Sequence, residues 1–171
     1  MEKPVQEKAE RDGILANWVE AYSDDMLRVC FLYLSDRSLA EEALQDTWIK
    51  AWKALSRQAR LPGHEKAWLM RIAINTCRDY TRTAWFRHVD RQKALEELPE
   101  ALLSCEQPDH SLSMAVMGLP AKYRQVILLY HYQGLTLDET GEALGLSRSA
   151  VYRRLKKSEE LLRKEWLGGE V

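Results

Sequence analysis

Between Ser147 and Lys157 the chain carries five basic side chains (Arg148, Arg153, Arg154, Lys156, Lys157) and no acid. Arginine presents a planar fork of donors that fits the edge of guanine, and lysine neutralises phosphates, so this run has the chemistry to recognise a nucleic acid. In a helix opening at Arg148, the residues Arg148, Ser149, Tyr152, Arg153 and Lys156 share one face and Val151 and Leu155 lie opposite. The apolar face must pack on something. The other is free to enter a groove, with Lys157 placed to touch phosphate. Composition alone would equally suit an amphipathic helix with a solvated basic face, so the residues ahead of it matter. Thr136-Leu137-Asp138-Glu139 has the capping-box pattern that opens a short helix, Gly145 suits the tight turn that ends it, and Ser147 suits the cap of the next. Short helix, tight turn and basic helix together read as a helix-turn-helix, whose second helix enters the major groove.

Two further constellations lie upstream. Arg71, Asn75, Arg78 and Arg82 recur at helical spacing and are interleaved with Trp68, Tyr80, Trp85 and Phe86. Arginines can follow phosphates and aromatics can stack on exposed bases; for Trp68 and Tyr80 core packing is the preferred reading. Glu41, Glu42, Gln45 and Asp46 fall on neighbouring turns and make an acidic face, either solvated or turned to a basic partner.

The elements that must position these groups are helices. Glycine and proline are absent from Ile14 to Leu61 and again from His64 to Leu98, and strand-type alternation is missing. A helix is expected over Ile14–Leu34, with Leu15, Trp18, Val19, Tyr22, Met26, Val29, Cys30 and Tyr33 inward. Ser38-Leu39-Ala40-Glu41 has the capping-box pattern for a second helix reaching Leu55, with Ala40, Ala43, Leu44, Thr47, Trp48, Ala51 and Leu55 inward. A third is expected over Glu65–Phe86, with Trp68, Leu69, Ile72, Ala73, Thr76 and Tyr80 inward. From Gln92 to His110 five acids face one base and two prolines intervene, which reads as a linker, with a short helix around Arg91–Leu98. Helical pattern resumes at Ser111 and is expected over Leu112–Met117, Pro120–Tyr132, Leu137–Leu144 and Arg148–Trp166. The expected fold is all-α: two small helical domains, residues 14–88 and 111–168, joined by a flexible linker at 89–110.

With 171 residues, 46% hydrophobic and 30% charged, the chain suits a globular protein, and a net charge of -1 gives no bulk attraction for nucleic acid. No apolar run approaches the ~20 residues of a membrane span, and no secretory leader pattern opens the sequence. Cys30, Cys77 and Cys105 are odd in number and widely spaced, consistent with reduced thiols in a cytoplasmic protein. Cys105 and His110 alone make a weak metal pair. No catalytic constellation stands out, so no enzyme activity, cofactor or metal is expected.

Leu119-Pro120-Ala121-Lys122-Tyr123-Arg124 followed by an aliphatic run resembles the opening of region 4 of extracytoplasmic-function (ECF) sigma factors, and the helix-turn-helix follows in the family's place. Ala40–Trp52 is similar to region 2.2, and Ala67–Asn75 with Asp79, Tyr80 and Arg82 is similar to regions 2.3 and 2.4. The resemblance implies a promoter-recognition subunit with two domains and no others. It implies that Glu41, Glu42, Gln45 and Asp46 dock on the β′ coiled-coil of core RNA polymerase, with the β subunit a further partner. Arg71, Asn75, Arg78 and Arg82 would engage the −10 element, and the loop Gln58–Lys66 would hold a flipped base, with His64 and Glu65 the leading candidates. The recognition helix would read the −35 element. Restraint by an anti-sigma factor is implied on the same ground, as is the absence of direct membrane insertion. Two departures stand out: Gly141 occupies a position where the family usually has alanine, and Arg148-Ser149-Ala150-Val151 replaces its small-Gly-Thr-Val turn. A free-standing operator-binding regulator would not need the two upstream motifs, and a helical interaction protein would need none of the three.

Overall fold

A computed structural model describes residues 3–58, 60–82, 96 and 110–168. Apart from Glu96 and His110, the proposed linker with its short helix and Cys105 lies outside the described residues, as do Trp85 and Phe86. The fold is all-α. Helices α1 (Lys3–Leu34), α2 (Arg37–Arg57) and α3 (Glu65–Thr81) form the first half. The second half holds α4 (His110–Gly118), α5 (Ala121–Ile127), α6 (Leu137–Leu144) and α7 (Arg148–Gly168).

Helix α1 starts eleven residues before the Ile14 expected from the glycine at position 13. Packing outweighs the cost of Gly13: Arg11 donates to the carbonyl of Leu55 at 3.2 Å, at the end of α2, and Asp12 accepts from the Trp52 indole at 3.0 Å. The start of α2 also differs from expectation. Asp36, not Ser38, is the cap, accepting from the Leu39 amide at 2.8 Å, and Glu41 pairs with Arg37 at 2.9 Å instead of reaching back to a cap. Asp36 satisfies the amide two residues earlier than the Ser38 pattern would, which leaves Glu41 free for its i,i+4 partner. Helix α3 ends at Thr81, short of Phe86, with Arg82 at its C-cap. Its core face includes Met70, Ile74 and Cys77 besides the expected Leu69, Ala73 and Thr76, while Trp68, Ile72 and Tyr80 are half-buried. Trp68 meets Trp18 edge-on, ring centroids 6.1 Å apart, a packing role.

In the second half the expected unbroken helix Pro120–Tyr132 is α5 running into a π turn over Leu128–Tyr132, where Gln133 donates its amide to Leu128 at 3.1 Å. The helix-turn-helix forms over its expected residues. Both legs of the Thr136–Glu139 capping box are made, at 2.8 and 3.2 Å. The Thr136 amide holds the Glu139 carboxyl below the usual carboxylate range. Gly145 takes φ 67°, and Ser147 accepts from the Ala150 amide at 3.2 Å to start α7.

The two halves pack on each other, and one apolar cluster runs through both. Arg124 donates to the Tyr33 carbonyl at the C-terminal end of α1 and lies 5.6 Å from the Tyr33 ring centre. Gln125 donates to the Tyr33 hydroxyl at 3.1 Å, and Gln133 to the Asp25 carbonyl at 3.2 Å. Helix α6 lies beside α3, and His64 comes within 3.6 Å of Glu139.

Gly141 explains how α6 and the turn approach so closely. A Cβ there would sit 2.6 Å from the Leu146 carbonyl oxygen, and that oxygen belongs to backbone. Gly141→Ala gains up to about 1 kcal/mol of helix propensity but must open the turn, so a net loss of roughly 1–3 kcal/mol is expected. Denaturant unfolding measures it; a variant as stable as the parent would show that glycine does not set the crossing.

Candidate nucleic-acid interface

Helix α7 separates its two faces cleanly. Val151, Leu155 and Ser158 are buried against α4, α5 and α6. Arg148, Ser149, Tyr152, Arg153, Lys156 and Lys157 are all exposed, and Tyr152 keeps 51% of its surface. Lys156 lies 5.5 Å from the Tyr152 ring centre and pairs with Glu159 at 3.3 Å, while Lys157 pairs with Glu160 at 3.1 Å. These pairs join neighbours on one helix. Arg148 reaches instead to Asp138 on α6, at 2.6 Å.

Helix α3 presents a second polar face. Arg71, Asn75 and Arg82 are exposed and Arg78 is half-buried, on successive turns. His64 precedes the helix and is exposed, with no side-chain cap bond. Glu65 is placed differently from its neighbour: it is half-buried and accepts from the Tyr22 hydroxyl at 2.6 Å, which pushes the phenol up to about 12. The loop candidates are therefore split, His64 towards solvent and Glu65 engaged within the fold.

On α2, Glu41, Glu42 and Gln45 are exposed. Asp46 is not the free acid the sequence pattern suggests. It is half-buried and accepts from the Tyr80 hydroxyl at 2.8 Å, and burial together with this bond raises the Tyr80 phenol above its ordinary value. The face also holds two apolar side chains absent from the expected set, Ile49 at 51% and Trp52 at 41% exposure. With Glu42 and Gln45 they follow 3/4 spacing, and a signal for them existed: both are large apolar residues off the helix's buried stripe. Lys50, likewise not anticipated, bridges to Thr76 at 3.1 Å and Asp79 at 3.3 Å.

Cys30 and Cys77 are buried; burial and a hydrogen bond with Cys30 push the Cys77 thiol up, which suits a packed small hydrophobe and not a nucleophile. Among the described residues no helix is long and apolar enough to cross a membrane, and no group of three or more metal-ligating side chains gathers.

Residues 18–87 match the family described as Sigma-70 region 2, and residues 109–162 match Sigma-70, region 4. The RNA polymerase sigma-E factor of Streptomyces coelicolor is 31% identical over 90% of this chain and 86% of that one. The ECF RNA polymerase sigma factor SigE of Mycolicibacterium smegmatis is 26% identical over 85% of this chain, which spans 58% of that protein's length. The sigma factor RpoE of Bartonella quintana, solved in complex with the anti-sigma factor NepR, shares the fold with a TM-score of 0.70 at 17% identity, over 88% of this chain and 95% of that one. The chain belongs to the sigma-70 family of RNA polymerase sigma factors, in its extracytoplasmic-function group.

Asp46 has a structural duty, so its loss is expected to cost stability. Asp46→Ala removes the carboxylate that accepts from the half-buried Tyr80 hydroxyl, a loss of about 1 kcal/mol. Chemical denaturation of Asp46→Ala, Tyr80→Phe and the double variant checks this. The double variant is expected to lose no more than Asp46→Ala alone; fully additive losses would show that the two groups do not interact.

Proposed function

We propose that this sigma factor docks on core RNA polymerase through α2, engages the −10 element through α3 and reads the −35 element through α7. The observation that carries the reading is α7 itself: five polar or basic side chains at helical spacing, all exposed, opposite three buried ones. Arg148, Ser149, Tyr152, Arg153 and Lys156 are the base-reading or flanking set and Lys157 a phosphate contact. On α3, Arg71, Asn75, Arg78 and Arg82 are the −10 set, joined by His64; Glu65, tied to Tyr22, is a lesser member. On α2, Glu41, Glu42 and Gln45 form the acidic rim of the docking face, and Ile49 and Trp52 its apolar centre. Buried aromatic anchors inside a polar rim are where interface energy concentrates. Asp46 contributes through Tyr80. Residues 14–88 and 111–168 are the two working units and 89–110 their connection. The protein acts in the cytoplasm and without catalysis of its own.

Both DNA elements cannot be engaged in the packed arrangement. The elements lie roughly 25 base pairs apart, on the order of 80 Å at about 3.4 Å per pair. A compact chain of this length has a radius of gyration of about 15 Å, and its longest helix, the 32-residue α1, spans only about 48 Å. Contacts such as Arg124 to Tyr33 and His64 to Glu139 therefore give way when the two halves separate on polymerase. A partner that favours the packed arrangement would hold the factor inactive by linkage. An anti-sigma factor is the proposed partner, in keeping with the fold shared with RpoE, which was solved with one.

Run-off transcription with core polymerase on a genomic promoter library tests the whole reading; core-dependent initiation at a shared motif is expected, and initiation indifferent to sequence would refute it. Two narrower outcomes follow. Ile49→Ala is expected to weaken core binding by about tenfold or more in a fluorescence titration with helix content unchanged, and Trp52→Ala to weaken it likewise while also loosening α1 ahead of Gly13 through loss of the Asp12 bond. Core binding equal to the parent would remove them from the docking face. Arg148→Ala and Arg153→Ala are each expected to relax preference at one −35 base pair by about 1–3 kcal/mol. Lys157→Ala is expected to weaken all promoters alike and flatten the salt slope. If both arginine variants kept the parent's full base preference, the reading face would be misassigned.

A further inference from the structure

We infer that Asp138, on the first helix of the helix-turn-helix, is a positioning residue for −35 specificity: it holds Arg148 in the pose in which Arg148 reads its base. The inference rests on the α7 reading above and adds a residue that makes no base contact itself. The geometry is specific. Asp138 Oδ2 accepts from Arg148 Nη1 at 2.6 Å, and both side chains are otherwise open, at 68% and 64% exposure. The other acid partners on this face belong to α7 itself, Glu159 to Lys156 and Glu160 to Lys157. The Asp138 pair alone crosses the motif, from the first turn of α6 to the first residue of α7.

Physical chemistry gives the pair a use. An exposed ion pair in water adds little stability, so folding does not call for it. A base-reading arginine is different, because fixing its long side chain on guanine costs rotamer freedom. An arginine already held by a carboxylate gives up less on binding. The guanidinium has five donors, so one nitrogen can stay on Asp138 while others meet the guanine edge. Arg148 also sits at the N-terminal end of α7, where the helix dipole disfavours a cation, and the Asp138 carboxylate offsets that. The carboxylate has a drawback on DNA, since it repels phosphates. That sets the alternative the experiment must separate: a charge that tunes affinity without touching specificity.

The test uses the full chain assembled with core polymerase and measures binding to promoter fragments carrying every single-base −35 variant, at two salt concentrations. The proteins are the parent, Asp138→Asn, Asp138→Glu, Arg148→Ala, Asp138→Asn with Arg148→Ala, and Arg153→Ala as a control. Asparagine keeps a short polar side chain in the first turn of α6, and equal helix content and melting temperature confirm the fold. Asp138→Asn is expected to lose about two- to fivefold of the discrimination at the one base pair that Arg148→Ala identifies, the range an exposed ion pair can supply, with preference elsewhere intact. The double variant is expected to be no worse at that pair than Arg148→Ala, and Asp138→Glu to recover part of the loss. Unchanged preference in Asp138→Asn, or tighter binding to every fragment alike, overturns the positioning role while leaving Arg148 as a reader. Unchanged preference in Arg148→Ala overturns the α7 reading and this inference together.

Discussion

The last two turns of α1 are the joint on which the packed molecule depends. From Val29 to Leu34 every side chain is almost wholly buried, which an amphipathic surface helix cannot achieve with one partner. Helices α2 and α3 cover part of that surface, and α4, α5 and the π turn approach the rest. The closing interaction is Arg124 on the Tyr33 carbonyl. The final carbonyls of a helix lack internal partners and carry the negative end of its dipole, so a guanidinium there serves as both cap and counter-charge. The adjacent Ser35 takes φ 57°, ending α1 in a left-handed residue that is not glycine. A side chain from the second half of the chain thus completes a helix of the first, and the pose of the helix-turn-helix beside α3 follows from it.

Much of this was legible in the sequence, for reasons that can be named. The helix-turn-helix formed where expected because its signals are local: a capping box, a glycine free to take positive φ and a serine cap each act within four residues. Signals that depended on the rest of the molecule were read less well. The spacing at Ile14–Leu34 marks one inward face, yet Val19 on that face is exposed, and Phe31, Leu32 and Leu34 fill the remaining sides of the helix and signal a second packing partner. Gly13 looked like a boundary because the Arg11 and Asp12 contacts that carry α1 past it reach forty residues or more along the chain. Ser38 looked like a cap because nothing in its spacing shows that Asp36 reaches the Leu39 amide first. The π turn after Ile127 has no pattern in the aliphatic run that would announce it.

The candidate surfaces divide along the same line. The exposed face of α7 follows from helical periodicity once Val151 and Leu155 are inward, so all six of its residues were accessible to sequence reasoning. The α2 face was read by charge alone. Charge groups Asp46 with the other acids, although a tyrosine thirty-four residues away claims it, and gives no weight to Ile49 and Trp52, whose apolar character on the outer side of the helix is the stronger indication of a partner.

Charge distribution connects these surfaces. A net charge of -1 gives the free chain no general pull towards DNA, and the acids on α2 would repel it. The basic groups are spread along the chain and are densest from Arg148 to Lys157, where several are already paired with acids of the same helix. Under the proposed function the free chain is expected to bind duplex weakly, which would keep it from being titrated by the non-specific sites of a genome. In the proposed complex, docking on polymerase supplies what net charge does not. Once α2 is tethered, α3 and α7 meet promoter DNA at a high effective concentration, and a few arginine contacts suffice to select a site. Weak intrinsic affinity is then an advantage, because the discrimination exerted by α7 is not swamped by attraction to phosphate that every sequence offers alike.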